Sequence, residues 1–158
     1  MLEKLRNEVK EAMRAKDKLR TQTLRSIMSD FNNAGIDKKG REGLTQEVSS
    51  PAEYLDEAEM IKVIQAAAKR RREAAEQYVA GDRPELAAKE NLELAILEEF
   101  LPKALSPQEL EALVKEVIAE IGATSMADMG KVMKVAQEKI AGRADGKAVS
   151  AVVRGLLG

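Results

Sequence analysis

The residues with the most obvious chemical potential lie between positions 142 and 147. Gly142-Arg143-Ala144-Asp145-Gly146-Lys147 sets two glycines and a lysine in one short run, the composition of a loop whose backbone amides could wrap a phosphate. The spacing fails that chemistry. A phosphate loop separates its glycines by four residues and follows the lysine with a hydroxyl for Mg²⁺; here three residues separate Gly142 from Gly146, and Ala148 follows Lys147. A turn between two helices, with Gly142 ending the first and Asp145 capping the second, accounts for the same residues.

Other routes to catalysis are narrowed by composition. Cysteine and histidine are both absent, which removes thiolate nucleophiles, imidazole acid/base chemistry and the usual zinc ligands together. A serine nucleophile would then need a lysine base, and nothing around Ser26, Ser29 or Ser150 frames one. Glu90, Glu93, Glu98 and Glu99 fall along one helix and are expected on its solvated face. Met126, Met129 and Met133 recur at helical spacing and are expected to fill a core. No catalytic residue, cofactor or metal site is therefore expected.

The basic residues carry the remaining signal. Residues 130 to 158 hold Lys131, Lys134, Lys139, Arg143, Lys147 and Arg154 against Glu138 and Asp145, a balance of +4 in a chain of net charge −1. Residues 104 to 129 hold Glu109, Glu111, Glu116, Glu120 and Asp128 against Lys115, a balance of −4. At 100° per residue, Lys131 and Lys134 point away from the apolar stripe of their helix, as do Lys147 and Arg154 on the next, with Arg143 in the turn between. These five are candidate contacts for an anionic partner. Lys69-Arg70-Arg71-Arg72 adds Lys69 and Arg70 as exposed candidates, whereas Arg71 falls beside Ile64 and Ala68 and is expected to snorkel. Arg6, Lys10 and Arg14 form a third stripe. Aromatic content is 3%, too little for a platform that stacks single-stranded bases. An RNA partner would be read by backbone and shape.

Helices must position these groups. Apolar residues recur at three/four spacing in Leu2, Leu5, Val9, Met13 and again in Leu24, Ile27, Met28, Phe31, and no segment alternates as a strand would. The polar stretch from Gly35 to Ser50, with Gly40 and Gly43, predicts a mobile loop. Ser50-Pro51-Ala52-Glu53 predicts a helix start, with Ser50 and Glu53 as a capping box, and Gly81 a left-handed end. The next helix begins near Asp82 and stops at Pro102. Ser106-Pro107-Gln108-Glu109 repeats the start signal, Gly122 ends that helix, Ser125 with Asp128 predicts another capping box, and Asp145 caps the last helix. The expectation is an all-α chain, with a bundle of about four helices over 1–102 and a small three-helix domain over 103–158. No apolar run approaches the ~18 residues of a membrane span; together with the missing cysteines this predicts a soluble, cytoplasmic protein.

Several motifs, in order, resemble one family. Met129-Gly130-Lys131-Val132-Met133 followed by Gly142-Arg143-Ala144-Asp145-Gly146 resembles the GatB/YqeY family. Lys16-Asp17-Lys18 with Leu24-Arg25, Lys69-Arg70-Arg71 with Glu76-Gln77-Tyr78, Gly81-Asp82-Arg83, Glu90 with Glu93, and Phe100-Leu101-Pro102 extend the likeness over nearly the whole chain. Phe100 stands where the family usually shows tyrosine, and residues 36–53 match nothing diagnostic. The resemblance implies a stand-alone protein similar to the helical tail of the B subunit of the tRNA-dependent amidotransferase, a tRNA-contacting appendage. The glutamine-dependent carbon-nitrogen ligation of that enzyme lies in other domains, which these residues do not contain. What it implies is a tRNA-binding accessory protein of translation. A module that docks on an amidotransferase or an aminoacyl-tRNA synthetase without touching RNA is the alternative.

Overall fold

The computed structural model describes residues 1–158, whose regular elements are all helices. Its contacts divide the chain into two compact units, Met1–Leu101 and Pro102–Gly158. The first contains α1 (Leu2–Arg14), α2 (Lys18–Glu42), a 3₁₀ turn (Pro51–Tyr54), α3 (Glu57–Ala80) and α4 (Pro84–Glu98). Their apolar stripes meet in a core built on Leu5, Leu24, Ile27, Phe31, Ile64 and Leu97, each 1% exposed or less.

Helix α2 runs through much of the segment expected to be a loop. Asp17 caps its start by accepting from the Arg20 amide at 2.9 Å, and Gly43, at φ 64°, ends it. Gly35, read from sequence as a breaker, is buried where the Pro51 carbonyl crosses the helix, and a methyl group there would overlap that carbonyl. The missing side chain makes room for backbone, which is a reason for glycine inside a helix. The Ala52 amide donates to Asn32 Oδ1 at 3.2 Å and holds the crossing 3₁₀ turn in place.

The start signal at Ser50 does not open a helix. Pro51 begins only a 3₁₀ turn, Ser50 makes no side-chain cap, and Arg6 donates to both Ser50 Oγ and Glu53 Oε1 at 3.0 Å. A long-range arginine has recruited the residues of the expected capping box. The capping box is made six residues later, where Asp56 accepts from the Glu59 amide and Glu59 accepts from the Asp56 amide, both at 2.8 Å. At the other end of α3, Gly81 keeps φ −87°; Asp82 takes the left-handed conformation instead, at φ 55°. Pro84 then occupies the first turn of α4, where its missing amide costs nothing.

Ion pairs clamp the helices of this unit. Arg20 on α2 reaches Glu8 of α1 at 2.8 Å and Glu99 at 2.7 Å. Arg71 does not snorkel: it donates to Glu93 at 3.0 Å, with the two side chains 13% and 18% exposed. Glu98 meets Arg72 at 3.5 Å. The carboxylates expected on a solvated face thus include three that join other helices.

The second unit contains α5 (Pro107–Ile121), a 3₁₀ turn (Met126–Asp128), α6 (Met129–Ile140) and α7 (Gly146–Leu157), each helix packed against the other two. Val114, Val117, Val132, Ala136 and Val153 are buried at its centre. Ser106 and Glu109 form the expected capping box, and Gly122 at φ 68° ends α5. Ser125 makes no cap; Asp128 accepts from the Thr124 amide at 3.1 Å across a 3₁₀ turn. Met126 is 43% exposed rather than buried, while Met129 and Met133 pack against the core.

Candidate nucleic-acid interface

The turn between α6 and α7 sets the candidate cations. Ala141 at φ 48° and Gly142 at φ 84° reverse the chain, so the left-handed ending is shared by an alanine and the expected glycine. The Arg143 amide donates to Ile140 O at 3.0 Å, and its carbonyl accepts from the Leu105 amide at 2.8 Å. Asp145 caps α7, accepting from the Lys147 amide at 3.4 Å. Both backbone groups of Arg143 are thus tied into the unit, and its side chain follows inward. Arg143 is half-buried, and its Nε is sealed from solvent without a hydrogen-bond partner. Arg143 is thus less open than the cation expected in the turn.

The other four candidate cations of this unit stand free of carboxylates. With Val132, Ala136 and Ile140 buried on α6, Lys131 and Lys134 are exposed; with Val149 and Val153 buried on α7, Lys147 and Arg154 are exposed. None of the four enters an ion pair; Arg154 touches only the Ser150 hydroxyl, at 3.5 Å. Glu138 lies one turn beyond Lys134 on the same outward face and is exposed.

Lys139 shows the contrast. It reaches from α6 to Glu116 at 3.3 Å and Glu120 at 2.8 Å on α5, and hydrogen bonding to Glu120, aided by Glu116, raises its pKa above the ordinary lysine value. Two of the acidic side chains of α5 are therefore spent on one lysine, Glu111 pairs with Lys115, and Glu109 closes its capping box. Bonding to the Ser106 amide and hydroxyl holds the Glu109 carboxyl below the usual range. The negative charge of this unit is largely occupied internally, and four of its unpaired cations lie on α6 and α7.

Lys69 and Arg70 belong to the other unit and are differently placed. Both are exposed, but Arg70 meets Asp30 of α2 at 2.9 Å and Lys69 sits 3.8 Å from Glu73. With Arg71 on Glu93 and Arg72 on Glu98, the four consecutive basic residues radiate to four different carboxylates. The partners on α2 and α4 are remote in sequence, which is why a contiguous basic run overstated the free charge. Arg6 and Arg14 of the third stripe are likewise paired, with Glu3 and Glu53 and with Glu11.

The sequence is 31% identical over 120 residues to Altered inheritance of mitochondria protein 41, mitochondrial, of Kluyveromyces lactis, covering 74% of this chain and 58% of that protein. Proteins of the same name from Vanderwaltozyma polyspora and Lachancea thermotolerans are each 27% identical over 119 residues. The chain thus spans somewhat under three-fifths of the length of these curated relatives. The pattern of one family, described as Yqey-like protein, matches residues 2–157. With both helical units inside that match, the chain belongs to the YqeY-like protein family, the GatB/YqeY group.

Proposed function

We propose that this protein is a tRNA-binding accessory factor of translation that meets the phosphate backbone of a folded tRNA through α6 and α7 and performs no chemistry itself. The observation that carries the reading is the set Lys131, Lys134, Lys147 and Arg154, four exposed cations on two packed helices with no carboxylate partner. Lysine and arginine on a helical surface neutralise phosphates and release counterions, which needs neither a pocket nor a base-reading group. The half-buried Arg143 supports the turn that presents them, and the paired Lys69 and Arg70 contribute only if they exchange their carboxylates for phosphate.

The related proposal of a cytoplasmic location rests on the absence of cysteine and on the absence of any helix long and apolar enough to cross a membrane. The yeast relatives carry "mitochondrial" in their names, so the shared feature of the proposal is a compartment that holds tRNA. A docking module for an amidotransferase or synthetase would need a continuous apolar face. The exposed large apolar residues Met13, Ile36, Val79, Leu92 and Met126 are distributed over five different elements, which favours the RNA reading.

Reversing the four charges together (K131E, K134E, K147E, R154E) tests it. Each substitution is exposed and leaves the core untouched, so the fold should persist by circular dichroism while affinity for folded tRNA falls roughly tenfold or more at low salt. Unchanged affinity in a folded variant would overturn the assignment.

A further inference from the structure

A second basic block equals the first. Residues 10–29 hold Lys10, Arg14, Lys16, Lys18, Arg20 and Arg25 against Glu11 and Asp17, a balance of +4. The chain folds this block into the corner at which α1 turns into α2.

Two of the six cations are engaged by carboxylates. Arg20 is held by Glu8 and Glu99, and Arg14 by Glu11 at 2.6 Å. Asp17 is occupied as well, accepting from the Arg20 amide as the cap of α2. Lys10, Lys16, Lys18 and Arg25 remain, all exposed and in no ion pair. Arg25 donates to Met13 Sδ at 3.3 Å, so its side chain leans back over α1 and joins the two helices into one surface. At 1.5 Å of rise per residue, Lys10 lies ~6 Å and Arg25 ~10 Å along their helices from the turn.

Two further features single out this corner. Lys16 adopts φ 56°, a left-handed backbone that glycine or asparagine takes more easily, so a charged side chain occupies the apex at a conformational cost. Beyond it, residues 18–29 contain no acidic side chain, and Gln22, Ser26 and Ser29 add exposed neutral hydrogen-bonding groups on the outer face of α2.

The four cations are spread over two helices and their turn instead of converging on one point, which suits a polymer with repeating charge better than a small anion. A membrane surface would call for an apolar face with bulky anchors beside the cations, and Met13 is the only large apolar side chain exposed here. We propose that the α1–α2 corner is a second phosphate-backbone contact surface for folded RNA, made by Lys10, Lys16, Lys18 and Arg25. It rests on the RNA reading of α6 and α7 for its class of partner, but on a separate set of residues.

The test compares two charge-neutralised variants of the full chain, K10Q/K16N/K18Q/R25Q and K131Q/K134Q/K147Q/R154Q, by titrating folded tRNA at several salt concentrations. The corner variant should bind more weakly than the unmodified protein and show a salt slope shallower by about 3–4 units, at ~0.9 per lost duplex phosphate contact. A charge-preserving K10R/K18R variant should keep the original slope. If the corner variant is folded and binds as the unmodified protein does while the α6–α7 variant weakens, the corner assignment fails and the proposed function stands. If the corner variant alone weakens, the corner stands and the α6–α7 assignment fails. Absence of tRNA binding by the unmodified protein, or binding of phosphatidylglycerol vesicles in preference to tRNA with dependence on the corner residues, would overturn the corner proposal.

Discussion

Gly35 and Gly40 lie in one helix, and their surroundings make opposite demands. A methyl group at Gly35 would overlap the Pro51 carbonyl, whereas at Gly40 it would meet open space. Gly35→Ala should therefore cost ~2 kcal/mol or more, since backbone must move to admit it, while Gly40→Ala should stabilise by about 0.5–1 kcal/mol through helix propensity. Urea midpoints of the two variants check this, and the same sign for both would refute the packing. From sequence both glycines read as loop residues, because the atom that distinguishes them belongs to Pro51. Glu99 gives a second residue-level test. Hydrogen bonding from Arg20 holds its carboxyl below the usual range, and a carboxyl so lowered contributes stability above its unfolded pKa, ~4.3, which is lost as pH falls through the folded value. Glu53 and Glu59 shift the same way, beside Arg6 and Lys38. Stability should thus fall as pH drops below about 5, and Glu99→Gln, already without that contribution, should lose less over the same interval. The effect is modest, since the Glu99 side chain is 52% exposed and solvent screens its pair. Equal acid sensitivity in the two proteins would remove Glu99 from the account.

Among the helices, periodic apolar residues revealed the elements far better than their ends. The three/four stripe marks α1 and the first half of α2 because one buried face is enough to impose it. Start signals are local, but their fate is decided at long range. Ser106 and Glu109 cap α5 because nothing else claims them, whereas Glu53 is claimed by Arg6, and Ser125 gives way to a 3₁₀ turn. Ser106→Ala should accordingly cost ~1 kcal/mol, and Ser125→Ala only a few tenths; chemical denaturation of the two variants separates the cases, and an equal loss would contradict the assigned caps. The extension of α2 to Glu42 was hidden by the charge and glycine content of residues 35–43. Its burial against residues 51 and 52 is a tertiary fact that no local window contains. The ion pairs follow the same logic: Asp30, Glu93 and Glu98 lie 22 to 40 residues from the arginines they hold, so free and paired cations look alike in sequence.

For the molecule as a whole, a net charge of −1 conceals two basic blocks whose acidic counterweights are mostly used within the fold. The imbalance in residues 130–158 was legible from sequence, as was the outward direction of Lys131, Lys134, Lys147 and Arg154. The partial burial of Arg143 was not, because its turn is tied to Leu105, 38 residues away, by a backbone hydrogen bond. A protein of this kind would bind by electrostatics that extend about one Debye length, ~8 Å at physiological salt, so its affinity must depend steeply on ionic strength. The most direct measurement is the dissociation constant for folded tRNA between 50 and 200 mM salt, for the unmodified protein and for the variant reversed at Lys131, Lys134, Lys147 and Arg154. Four phosphate contacts on α6 and α7 contribute a slope of about −3.6, equivalent to roughly a hundredfold loss over that range. The account predicts that charge reversal removes this contribution; affinity indifferent to salt, or a slope unchanged by the reversal, would contradict it.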